Sequence, residues 1–185
     1  MNVSSTKAEI KKELILKAVS QIVHEEGVEK LTLEAVAKKA GISKGGLLYH
    51  FPSKEALLQG MVEHLSNRFL EEFHQKAEED PRTMGKWTRA YMDASLSCDS
   101  EVGDLYTALS AAHFANPELL QVLQEQYFKM QALIEDDAID PVKSTMIRLA
   151  LDGLWFAEMF GLAPPHPELR QKIVEELKRR LEENE

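Results

Sequence analysis

Residues 41–54 read GISKGGLLYHFPSK, and they gather side chains whose types and spacing suit contact with a phosphate or a base edge. Lys44 and Lys54 bring ammonium groups, Tyr49 a hydroxyl and His50 an imidazole, all of them donors that can reach phosphate oxygens. Between them Gly45 and Gly46 remove two side chains in succession, at roughly 1 kcal/mol each against alanine in a helix interior. A bare backbone approaches another surface closely, so the expected use of the pair is contact with a groove wall or a phosphate. From Lys30 to Lys54 five lysines stand against the single acid Glu34, a local footprint suited to a polyanion. The competing explanation is an ordinary solvated face, and charge alone does not displace it.

The other reactive side chains point away from catalysis. Six histidines form no H-E-x-x-H and no regular metal spacing. The single cysteine, Cys98, excludes an intrachain disulfide and a zinc site of paired thiolates. It is expected as a small residue packed in a helix, with a redox-sensing thiol as the alternative. No G-x-S-x-G or phosphate-binding glycine loop occurs. The expectation is a protein that is not an enzyme and needs neither metal nor cofactor.

Charge divides the chain. A net charge of -9 over 185 residues, with a pI near 5.2, argues against nucleic acid as a partner for the whole surface. Yet residues 1–60 hold nine lysines and seven acids, while the rest holds 13 basic and 24 acidic residues, so the two parts call for different partners. No apolar run approaches the roughly 18 to 20 residues of a membrane helix, and the N-terminus lacks the apolar stretch of a signal peptide. No membrane association and a cytoplasmic location are the expectations.

The elements that must position residues 41–54 read as helices, with no convincing strand. A first helix is expected over 6–26, with Ile10, Leu14, Ala18 and Ile22 along one face and Gly27 as its stop. Thr32 suits an N-cap for a second helix through Ala40, with Val36 and Ala37 inward and Gly41 ending it in the left-handed conformation. Ser43 caps a third that Pro52 terminates, and Ser53 caps a long fourth from Lys54 to about Glu79. Two short helices joined by a glycine-bearing turn and braced by a longer helix make a helix-turn-helix.

At this point the chain resembles the TetR family of one-component transcriptional regulators. LTLEAVAKKAGISKGGLLYHFPSKEALL, Leu31 to Leu58, looks like that family's DNA-binding domain almost position for position. The resemblance implies an all-α dimer: a three-helix DNA-binding head over residues 1–52 and a helical ligand-binding and dimerisation domain over 53–185. It implies that Thr32, Tyr49, His50 and Lys54 contact phosphates, while Lys44, Gly45, Gly46 and Leu48 face the bases of double-stranded operator DNA. Gly46 stands where the family often has threonine, serine or alanine, and Leu48 where an aromatic residue is frequent. Base readout is therefore expected to rest on Lys44 and on apolar contact with thymine methyls.

Beyond Leu70 further helices are expected near 83–98, 101–114, 117–137, 141–162 and 167–183. The fourth of these is apolar nearly all round, and the last carries a stripe of Leu169, Ile173, Leu177 and Leu181. Both are expected to pair with their symmetry mates in a homodimer, with a monomer's own core as the alternative for both. Trp87, Tyr91, Met92, Phe114, Trp155, Phe156 and Met159 are the candidate lining of a small-molecule effector site, although most such residues are core in any helical domain. Asp93, Asp104, Asp152 and Glu158 lie in or beside apolar runs, where a cationic aromatic ligand is one suitable partner. Pairing with Arg89 or Arg148, or exposure, is the plainer explanation. The expected function is a ligand-responsive repressor that releases a palindromic operator. The alternative is a helical ligand-binding or scaffold protein that has kept the helix-turn-helix only as packing.

Overall fold

The computed structural model describes residues 6–97 and 117–183, and Val28, residues 117–119 and Val122 by their backbone alone. The expected helix 101–114, with Cys98, Asp104 and Phe114, lies outside the described residues. Among those described, every regular element is helical: α1 (Lys7–Glu26), α2 (Leu33–Lys39), α3 (Lys44–His50), α4 (Lys54–Glu79), α5 (Lys86–Leu96), α6 (Pro117–Glu135), α7 (Pro141–Phe160) and α8 (Pro167–Glu182). A short 3-10 turn, Val28–Lys30, links α1 to α2. The all-α class expected from the sequence is the class observed.

Local chemistry sets the boundaries. Thr6 and Glu9 close a capping box at the start of α1, each side chain bonded to the other's backbone N–H. Thr32 Oγ1 accepts from Ala35 N at 3.1 Å, Ser43 Oγ from Gly46 N at 3.1 Å and Ser53 Oγ from Ala56 N at 3.1 Å, so the hydroxyls expected as N-caps all serve as such. Gly41 takes φ 67° between α2 and α3, a left-handed turn that a side chain would strain. Ahead of Pro52, Phe51 is extended at φ -136° and ψ 94°, and α3 stops there.

The described residues fall into two compact units, one of residues 6–65 with 117–120 and the other of residues 66–97 with 121–183. In the first, Ile15, Leu16, Val19 and Ile22 of α1 pack with Leu31, Val36, Leu47, Phe51, Leu57 and Met61. Ile10 and Leu14 do not follow the expected stripe; each is 47% exposed, and the buried face starts at Ile15. A four-residue spacing drifts by about 40° per step on a 3.6-residue helix, so a stripe of that period leaves the packed face. In the second unit Phe73, Ala77, Tyr91, Met92, Met130, Ile134, Ile147 and Leu151 form the core. Helix α4 supplies residues to both cores.

The second unit's helix ends are held partly from a distance. Asp137, only 2% exposed, accepts from Trp87 N at 2.9 Å and from Thr88 N and Oγ1 at 2.7 Å each, capping α5 from 50 residues away along the chain. Arg89 donates through Nε to Asp80 and through Nη2 to the Met84 carbonyl at 2.6 Å. Burial opposes ionisation of Asp80, but the hydrogen bonds from Arg89 and Arg82 outweigh it and hold the carboxyl at about 2.

Candidate functional site

Helix α3 is fixed by one face and open on the other. Leu47 is fully buried and Phe51 nearly so, which anchors the helix at its middle and its end. Phe51 lies against α4 at Gly60, where a Cβ would run into its Cε1. That glycine belongs to the scaffold of the site, and the sequence offers no signal for it beyond a glycine inside a long helical pattern. Lys44, Gly45, Leu48 and Tyr49 are exposed, with Tyr49 84% accessible and its ring edge-on to His50 at 5.2 Å between centroids. Thr32 is exposed beside its cap, and His50 and Lys54 are half-buried.

The two glycines differ. A Cβ on Gly45 would meet nothing within 4 Å, so the fold itself does not ask for glycine there. A Cβ on Gly46 would sit 3.2 Å from Ser43 Oγ, the hydroxyl that caps the helix. Two of the five lysines are engaged: Lys39 Nζ lies 2.5 Å from Glu25 Oε2, and Lys44 Nζ lies 2.7 Å from Glu34 Oε1. The second contact ties the residue expected to read bases to an acid on α2, and the hydrogen bond and charge of Lys44 lower the Glu34 pKa.

The second unit brings Trp87, Tyr91 and Met92 of the expected effector set into one core. Trp87 lies tilted at 5.2 Å from Phe73 and edge-on at 5.4 Å from His74, and Tyr91 packs edge-on at 5.7 Å from Phe69. Phe69, Phe73 and His74 of α4 thus join Trp87 and Tyr91, none of the three being among the expected effector residues. Met92 is buried in the same core. Trp155 and Met159 are partly buried, while Phe156 is 40% exposed and pairs with Phe160 at 4.7 Å.

Of the suspect carboxylates, Asp152 accepts from the Tyr91 hydroxyl and from Arg148 Nη1 at 2.6 Å. Burial raises its pKa against the pull of those two partners. Burial also pushes the hydroxyls of Tyr91 and Tyr127 upward, and the Arg148 guanidinium lies 5.9 Å from the Tyr127 ring. Glu158 pairs with Arg170 at 2.5 Å, and Asp93 is exposed. The plainer explanation therefore holds for each described carboxylate, through Arg170 in one case where Arg89 and Arg148 were the expected partners.

Helices α7 and α8 leave a separate apolar surface. Val142 is 64% exposed, Met146 57%, Leu149 54% and Leu169 44%. A groove of about 630 Å³ runs along the two helices, lined by Val142, Met146, Ile147, Leu169 and Ile173 with charged residues at its rim. None of the described members of the expected effector set lines it. The α8 stripe is split, because Leu177 and Leu181 are buried in the unit's own core, Ile173 is half-buried against it and only Leu169 stands out. Among the described residues no group of acids, histidines or cysteines is placed to hold a metal, and no helix is long and apolar enough to cross a membrane.

Comparison with known proteins bears on both units. Residues 15–61 match the family described as "Bacterial regulatory proteins, tetR family", and residues 85–182 match "Tetracyclin repressor-like, C-terminal domain". The chain is 35% identical over 78 residues to the HTH-type transcriptional regulator UidR of Escherichia coli K12, covering 42% of this chain and 40% of that protein. It is 28% identical over 82 residues to the nucleoid occlusion factor SlmA of Vibrio atlanticus, covering 44% of this chain and 42% of the relative. The alignments thus span less than half of these curated relatives. A transcriptional regulator from Rhodococcus sp. Rha1 has the same fold, with a TM-score of 0.71 at 19% identity over 92% of this chain and 93% of the other. So does the multidrug binding protein EbrR complexed with ethidium, with a TM-score of 0.65 at 23% identity over 92% and 98%.

Proposed function

The chain belongs to the TetR family of transcriptional regulators, and on that footing we propose that it is a repressor that binds a palindromic operator as a homodimer and is released by a small hydrophobic or cationic aromatic effector. The observation that carries the reading is α3: a helix anchored through Leu47 and Phe51 whose other face shows Lys44, Gly45, Leu48 and Tyr49 to solvent, with open space where a Gly45 side chain would stand. In the proposed complex Lys44, Gly45, Gly46 and Leu48 face bases, and Thr32, Tyr49, His50 and Lys54 hold phosphates. The exposed apolar residues of α7 and α8 support a second copy as the occupant of their groove. Residues 1–52 are the DNA-binding part and 53–185 the sensing and dimerising part.

For the effector, the aromatic cluster about Trp87 and Tyr91 supports a flat apolar compound, with Met92, Phe114, Trp155, Phe156 and Met159 as further candidates for contact. The binding of ethidium by EbrR favours the same class. A cationic compound would have to compete with Arg148 for Asp152. Helix α4 offers the covalent route for a switch, since Phe69 and Phe73 on it meet the cluster and Lys54 opens it.

Selection from a pool of random duplexes with the full-length protein tests the reading. Enrichment of an inverted repeat, with half-sites about 34 to 36 Å or a multiple apart, is expected of a dimer docking two copies of α3. No enrichment of any sequence would favour the alternative, a helical ligand-binding or scaffold protein without operator-specific DNA binding.

A further inference from the structure

Glu34 is the single acid between Lys30 and Lys54, and it is spent on the lysine best placed to read bases. Its Oε1 accepts from Lys44 Nζ at 2.7 Å, linking the first turn of α2 to the first residue of α3. The two side chains are 75% and 57% exposed, so packing does not impose the contact. An exposed pair of this kind shifts an equilibrium by only about twofold to fivefold, too little to hold two helices together. Its consequence lies in what approaches α3. A phosphate attracts Lys44 and repels Glu34 in equal measure, so the pair adds little to binding at an arbitrary sequence.

A guanine–cytosine pair treats the two groups differently. In the major groove guanine offers O6 and N7 as adjacent acceptors for an ammonium, and the cytosine amino group donates to a carboxylate. An adenine–thymine pair sets its acceptors on either side of the adenine amino group and adds a methyl. We propose that Glu34 is a specificity-determining residue: by carrying Lys44 as a neutral pair it suppresses attachment to arbitrary phosphate, and it favours a guanine–cytosine pair where both groups find partners. This rests on the DNA-binding reading above.

The test uses the full-length wild type, E34Q, K44A and the double variant with labelled alternating duplexes of dG-dC and of dA-dT, titrated over a salt series. Wild type is expected to favour the dG-dC duplex beyond K44A. E34Q is expected to bind the dA-dT duplex about twofold to fivefold more tightly, with a salt slope steeper by about one, so that the preference between duplexes falls. In the K44A background, E34Q is expected to lower that preference by less than in the wild type, since only the contact of the Glu34 carboxylate with cytosine is left to lose. An E34Q variant that gains equally on both duplexes shows a uniform charge effect and overturns the proposal, as does one that gains on neither. Wild type that binds no duplex even at low salt overturns the DNA-binding reading itself, an outcome distinct from wild-type binding with an unaltered E34Q preference.

Discussion

At Gly45 the fold leaves room for a side chain that the proposed contact with DNA would not. The motif made both glycines of α3 candidates for close approach, but spacing alone could not say which of them the fold could spare. The structure distinguishes them, because a Cβ at Gly45 meets nothing while one at Gly46 presses on the capping hydroxyl of Ser43. Gly45→Ala is therefore expected to stabilise the protein by about 1 kcal/mol, the helix-propensity difference, and to weaken operator binding. Urea unfolding and a DNA titration of the same preparation check the two halves, and a variant that loses stability along with affinity would return Gly45 to a packing role. Residues 31–58 were this legible because caps, turn glycine and terminating proline are local signals. The pairing of Glu34 with Lys44 was not legible, since it depends on where two helices come to rest.

At the level of elements, the helix boundaries read from Ser, Thr, Gly and Pro stand close to those observed, while the buried faces were read less well. The α8 stripe looked like one surface for one partner, yet Leu177 and Leu181 belong to the unit's own core and only Leu169 is exposed. A regular spacing of leucines shows that a helix has an apolar side, not which neighbour covers it. Leu169→Asp is accordingly expected to split the proposed dimer without unfolding the chain, read as halved mass by light scattering with unchanged helical circular dichroism. A monomeric wild type at micromolar concentration would end that assignment. Between α4 and α5, Asp80 makes a second element-scale test. Its carboxyl is held at about 2 in the folded state against an ordinary 3.8, so its contribution to stability is present above about pH 4 and is lost as pH falls toward 2. Arg89→Met should flatten that acid limb of the stability profile, and an unchanged limb would place the acid sensitivity elsewhere.

For the whole molecule, the acidic composition and the basic stretch are reconciled by assigning them to different tasks. Linkage then makes the two tasks measurable against each other: an effector that weakens DNA binding must itself be weakened by DNA to the same degree, typically about 5- to 150-fold. A cationic aromatic dye is expected to quench Trp87 or Trp155 and to release operator over the same concentration range. Tight dye binding with operator affinity unchanged would show the sites to be uncoupled. The effector set was the least legible part of the site because aromatic residues fill core and cavity alike. The central claim, that this acidic chain reads DNA through α3 and the start of α4, is tested most directly by the anisotropy of a labelled duplex from upstream of its own gene, against a scrambled duplex, between 50 and 200 mM salt with wild type and Lys54→Ala. The expected result is a wild-type preference of about a thousandfold or more, with Lys54→Ala weakening both duplexes alike and reducing the salt slope by about one. Equal wild-type affinity for the two duplexes, or a Lys54→Ala variant indistinguishable from wild type, would contradict it.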